Sequence, residues 1–163
     1  MAILEKISDY LNQIFIWIAG CFLAAMIILT CANIFLRTVW QPIIGTFELM
    51  GYLGAVLTAF ALGYTQVRRG HIAVDIVILG FSKKTQNILN GINCFICMVF
   101  FAIVSWQIAK YATILLKTGE VTETLRIIYY PFTYGVALGC AALSLVFLTE
   151  FLKSVLPREE DEK

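Results

Sequence analysis

Three places in this chain have residue types and spacing that could do chemistry. Cys94-x-x-Cys97 has the spacing of a redox or metal pair. His71 and Asp75 stand four apart, so on a helix they share a face, and a carboxylate there could orient the imidazole. Glu48 is the acid nearest to an apolar stretch, where a proton-coupled carrier would need a carboxylate inside lipid. Each reading meets an obstacle. Cys94 and Cys97 have no second cysteine pair and no nearby His, and they lie inside an uncharged stretch. With Cys21, Cys31 and Cys140 they read as small apolar residues. A single His excludes a two-His metal site within one chain. No nucleophile stands at a recognisable distance from His71, so no catalytic constellation and no cofactor is called for. Glu48 sits at the mouth of its stretch, not within it.

The elements that carry these residues explain why so little chemistry is present. Residues 10–36, 49–67, 85–109 and 127–149 contain no Asp, Glu, Lys, Arg or His. Each is at or near the roughly 20 residues a helix needs to cross about 30 Å of hydrocarbon. The 163 residues are 60% hydrophobic and 14% charged, against about 25% charged in soluble domains. The reading is an all-α membrane protein of four transmembrane helices. It forms one compact bundle over residues 1–156, with a disordered tail at 157–163. A net charge of +1 implies no nucleic-acid partner. The first apolar run exceeds the 7–15 residues of a signal-peptide core and ends without a small-residue cleavage site, so it reads as a first span.

Orientation follows from Lys and Arg. With both termini inside, Lys6, Arg68, Arg69, Lys83, Lys84, Lys153, Arg158 and Lys163 lie on the inner side. Arg37, Lys110, Lys117 and Arg126 lie on the outer side. The bias favours N-in and C-in. The stretch after Gly70 is apolar but too short to cross, and reads as a short interfacial segment on the inner leaflet, ending near Gly80 and Ser82.

The spans themselves read as packing surfaces. Gly51, Ala55, Ala59 and Gly63 recur every four residues and make a small-residue stripe. Gly135-x-x-x-Gly139 and Gly20-x-x-x-Ala24 repeat the motif, which lets helix backbones approach closely in lipid. Thr30, Asn33, Thr58, Thr65, Asn90, Asn93, Ser105, Gln107 and Ser144 read as hydrogen bonders between helices. Arg37 and Trp40 close the first span at an interface, and Gln41-Pro42 breaks it. Glu48 opens the second span, where the helix dipole favours a carboxylate. Arg37 and Glu48 either pair across this short connection or each face headgroups and water. No broken helix pair of the kind that builds midplane substrate sites is visible.

Several motifs together resemble one family. Arg37…Trp40-x-Pro42…Glu48…Tyr52-Leu53-Gly54, Ala61-Leu62-Gly63-Tyr64, Arg68-Arg69-Gly70-His71-Ile72-Ala73-Val74-Asp75 and Ile127-Ile128-Tyr129-Tyr130-Pro131…Tyr134-Gly135-Val136-Ala137-Leu138-Gly139 look like the small, DctQ-type membrane subunit of TRAP (tripartite ATP-independent periplasmic) transporters. The layout matches over nearly the whole chain, and Gly-His-Ile-x-Val-Asp is its most specific part. One departure is that Phe47, not a second acid, precedes Glu48. The resemblance implies a non-enzymatic scaffold subunit in the inner membrane of a bacterium or archaeon. Its expected partners are a large DctM-type permease subunit, a periplasmic DctP-type binding protein and membrane lipid. Together they would take up an organic anion of the carboxylate class, driven by sodium. Candidate partner-contact or structural residues are then Arg37, Trp40, Glu48, Arg68, Arg69, His71 and Asp75. The alternatives are an assembly subunit of another membrane complex, a small antiporter using Glu48, and a four-span thiol oxidoreductase.

Overall fold

The computed structural model describes residues 2–68 and 83–155. These form four helices: α1 (Ala2–Val39), α2 (Thr46–Val67), α3 (Lys83–Thr118) and α4 (Tyr130–Val155). All four are long and apolar enough to cross a membrane. The interfacial segment expected after Gly70, with Arg69, His71 and Asp75, and the tail at 157–163 lie outside the described residues.

The helix ends follow local chemistry. α1 stops at Val39, three residues before Pro42, and its last turn closes with Trp40 N–H donating to Leu36 O at 2.7 Å. Asn33 Oδ1 then accepts the Ile43 N–H at 2.8 Å, which folds the connection back onto α1. Gly45 caps α2 in the left-handed region at φ 78. A Cβ there would collide with the Leu125 side chain, so both the dihedral and the space require glycine. Pro131 lies in the first turn of α4, where its missing N–H costs nothing. α3 runs on through Lys110 and Lys117, to about 54 Å in all.

The expected compact bundle is instead an open row in the order α1, α2, α4, α3. α3 and α4 share the most extensive contact, α1 lies on α2, and α2 joins α4. α1 touches α4 only slightly. α4 is therefore the most enclosed helix, whereas α1 and α3 form the edges and expose most of their apolar surface. In water this would be an aggregation hazard. In a bilayer, helices are not driven together by apolar area, because lipid tails are equally apolar. Local packing decides the arrangement.

That packing is concentrated in two clusters. Ala19, Val56 and Phe60 join α1 to α2, with Phe15 stacked on Phe60 at 4.4 Å between ring centroids and Phe132 and Val136 of α4 alongside. Cys94, Leu143 and Phe147 join α3 to α4, with Leu62 of α2 against them. The polar residues divide by role. Ser105 Oγ donates to Ala137 O at 2.8 Å and Ser144 Oγ to Met98 O at 3.1 Å, both across α3 and α4. Thr113 and Tyr134 share a third bond between these helices at 2.9 Å. Thr58 and Thr65 instead bond back to Gly54 O and Ala61 O in their own helix, which satisfies the hydroxyl without a partner. Interhelical bonds of this kind contribute about 0.6 kcal/mol each. Replacing both Ser105 and Ser144 by Ala will therefore cost about 1 kcal/mol in a steric-trapping measurement, and no change would assign the α3–α4 contact to packing alone.

Candidate functional site

Polar chemistry collects at the two ends of the row. At one end, α3 is followed by Gly119 at φ 65 and a short hairpin. Val121 and Ile128 form an antiparallel bridge, Thr122 N–H donates to Ile127 O at 3.0 Å, and Ile127 N–H donates to Thr122 Oγ1 at 3.2 Å. Two backbone N–H groups at the hairpin tip, of Thr124 and Leu125, remain to be satisfied. Glu48 supplies both acceptors: Oε1 takes the Thr124 N–H at 2.8 Å and Oε2 the Leu125 N–H at 3.2 Å. A carboxylate accepting backbone N–H groups makes charge-assisted hydrogen bonds, stronger than neutral ones. Glu48 thus ties the start of α2 to a loop 76 residues away in sequence.

Behind this contact Tyr52 stacks on Tyr129 at 5.3 Å and on Phe132 at 5.6 Å. Glu48, Tyr52, Leu125, Tyr129 and Phe132 are among the residues that line a small cleft with only about 10 Å³ of free space. Small-molecule sites usually enclose roughly 300–1,000 Å³ and offer several convergent polar groups. This cleft has one carboxylate, already engaged. Arg37 and Trp40 are exposed near the same end, Trp40 at 82%, as is Phe47, next to Glu48 in the chain, at 89%.

At the other end lies a group that reasoning from the uncharged stretches missed. Glu150 stands one residue past the last of them, yet α4 continues through it to Val155. Its Oε2 accepts the Gln66 Nε2–H of α2 at 2.7 Å, and the Cys94 thiol of α3 points to the same oxygen at 3.8 Å. Three helices meet at this carboxylate. The signal available in the sequence was helical phase. Glu150 falls four residues after Val146 and three after Phe147, on the enclosed face of α4. Nearby, the Arg68 guanidinium lies 5.5 Å from the Tyr64 ring centroid, a cation–π contact that keeps the charge exposed.

The small-residue stripe of α2 divides between its two halves. A Cβ on Gly139 would lie 2.7 Å from Ala59 Cβ and 2.8 Å from its carbonyl, so α2 and α4 touch backbone to backbone. Gly135 meets Val56 at 3.3 Å. Gly63 lies against the side chain of Asn12, whose Nδ2 bonds Ser8 O at 2.8 Å. Asn12 Oδ1 has no hydrogen-bond partner among the described residues and is directed at Gly63. Gly51 and Ala55 are exposed, with nothing within 4 Å of a Cβ on Gly51. Among the described residues no group of three His, Cys, Asp or Glu side chains could hold a metal ion.

The family model for tripartite ATP-independent periplasmic transporters, DctQ component, matches residues 26–156. The chain belongs to the DctQ family. No curated protein and no solved structure matches it. In this DctQ protein the match begins within α1 and takes in all of α2, α3 and α4, so both polar ends and the α2–α4 contact lie inside it. A transporter component of this family is a multi-pass membrane protein, and the four apolar helices agree with that.

Proposed function

We propose that this DctQ-family chain is the scaffold subunit of a TRAP transporter, and that it supports a large DctM-type permease subunit in the inner membrane of a bacterium or archaeon. The large subunit moves an organic anion, a carboxylate, in a sodium-driven step, after a DctP-type periplasmic protein delivers it. This chain binds neither ion nor substrate.

One observation carries the reading: four helices form an open row with no charged side chain in residues 10–36, 49–67, 85–109 or 127–149. A carrier needs ionisable or cation-ligating groups near the midplane and a cavity around them. Glu48, the acid an autonomous antiporter would use, is held at a helix mouth by two backbone N–H groups. A thiol oxidoreductase would need accessible cysteine pairs, whereas Cys94 is buried. A row with two wide apolar edges suits a wall that another membrane subunit slides against or rests on.

With the termini on the cytoplasmic side, as the Lys and Arg bias favours, the Glu48 hairpin faces the periplasm and is the surface a binding protein meets. Arg69, His71 and Asp75, on the opposite side, seat the subunit at the inner leaflet. Tagged chain expressed from its native operon and purified in mild detergent tests this. A stoichiometric many-span permease subunit is the expected companion, and a clean homo-oligomer would sink the proposal. Variants Arg69→Ala, His71→Ala and Asp75→Ala should recover several-fold less of the companion while substrate affinity stays unchanged. Altered affinity with intact assembly would count against it.

A further inference from the structure

We propose that the row is two helical hairpins, α1–α2 and α3–α4, which meet along the α2–α4 seam, and that Glu48 and Glu150 are clasps holding that seam closed at its two ends. The inference rests on the described contacts alone and does not depend on which partner the chain has.

The geometry is that of a pivot with two fasteners. At the Ala59–Gly139 contact the backbones of α2 and α4 touch without interlocking side chains, since a glycine and an alanine offer none. Helices that meet at such a point can change their crossing angle while the contact persists. On α2 the pivot is flanked by Glu48 on one side and Gln66 on the other, roughly 27 Å apart at 1.5 Å per residue. Glu48 of the first hairpin holds the second by the Thr124 and Leu125 N–H groups at 2.8 and 3.2 Å. Glu150 of the second hairpin holds the first by Gln66 at 2.7 Å. The bonds run in opposite directions across the seam, a carboxylate from each hairpin meeting donors of the other. Along α2 they sit about 16 and 10 Å from Ala59, toward the ends of the seam, where a hydrogen bond restrains rocking more than one beside the pivot.

The two ends are not equally backed. Behind Glu48 the Tyr52 ring stacks on Tyr129 and Phe132 across the same seam. Behind Glu150 the apolar support from α2 is Leu62, set against the α3–α4 cluster. Loss of the Gln66–Glu150 clasp should therefore open its end further than loss of Glu48 opens the other.

Spin labels on ketone-bearing unnatural residues leave the native cysteines in place. One pair at positions 14 and 92 reports the Glu150 end across the edges of the row, and a second at positions 35 and 114 reports the Glu48 end; all four side chains are exposed. Pulsed electron–electron distances are read in the full chain in nanodiscs. In the Gln66→Leu/Glu150→Leu double variant, whose apolar side chains keep the volume and leave no unpaired carboxylate, the 14–92 distribution should broaden and shift more than the 35–114 distribution, whose end Glu48 still restrains. Glu48→Gln should do the reverse, with a smaller shift. If the double variant does not yield monodisperse protein, Glu150→Gln is read in the same way. Both distributions staying at their wild-type width in folded variants would overturn the proposal, as would both broadening equally in every variant.

Discussion

Gly139→Val will cost the fold about 3 kcal/mol, the upper part of the range for overpacking a closed contact. The first atom of the new side chain would meet Ala59 Cβ at 2.7 Å and the Ala59 carbonyl carbon and oxygen at 2.8 Å. Those atoms are backbone or are attached directly to it, so no rotamer change relieves the contact. α2 must move, and moving it strains both clasps and separates Val56 from Gly135. Gly51→Val is the control. It adds the same atoms to another glycine of the family-matched region, but nothing lies within 4 Å there. Unfolding free energies by steric trapping, together with size-exclusion profiles, should show Gly51→Val near wild type and Gly139→Val severely impaired. Equal stability of the two variants would mean that α2 and α4 do not meet at backbone distance. A partial rescue of Gly139→Ala by Ala59→Gly would locate the contact directly.

Glu48→Ala should detach the hairpin between α3 and α4. Two N–H groups, of Thr124 and Leu125, lose their acceptor at once. The hairpin retains its internal bonds from Thr122, but it loses its tie to α2. Arg126, exposed and at φ 51, is a ready trypsin site in that segment. Cleavage there should accelerate on the order of tenfold, as expected for opening that no longer breaks charged hydrogen bonds. Glu48→Gln should fall between, because an amide oxygen still accepts but without charge. Under the proposed function the same Glu48→Ala variant keeps its large-subunit companion and loses affinity for the periplasmic binding protein. An unchanged cleavage rate would show that the hairpin holds itself, and the role of Glu48 would have to be sought elsewhere.

The helices could be read from the chain because a bilayer imposes a simple rule. Backbone groups in lipid must be satisfied within the segment, so an uncharged run of sufficient length becomes a helix. That is why residues 10–36, 49–67, 85–109 and 127–149 lie within α1 to α4 with small shifts at the ends. The end of α1 before Pro42 and the start of α4 at Pro131 follow from proline geometry. The absence of charge from residues 10–36, 49–67, 85–109 and 127–149 could be read as well, and it is the observation on which the proposed scaffold role rests.

What the sequence left open concerns pairs of residues far apart in it. Glu48 was visible as an acid at a helix start, with Arg37 as the nearest counter-charge. Its partners are instead backbone N–H groups of Thr124 and Leu125, and a backbone donor carries no residue-type signal. Glu150 was overlooked because charge counting treats the end of an apolar run as the end of the span, while the helix carried it on to meet Gln66 and Cys94. Gly51, Ala55, Ala59 and Gly63 look alike as a stripe, yet Ala59 meets Gly139, Gly63 meets Asn12, and Gly51 is open. A four-residue repeat drifts around the helix by about 40° at each step, since 3.6 residues make a turn. Its members thus face different neighbours. The sequence by itself determined that four apolar helices form and where they break, because each of those is a local demand of lipid on one segment. Only the tertiary structure decided that they stand in an open row with α2 against α4. That choice depends on which glycine meets which alanine and which carboxylate meets which N–H, and hydrophobicity, equal on every face in lipid, does not distinguish them.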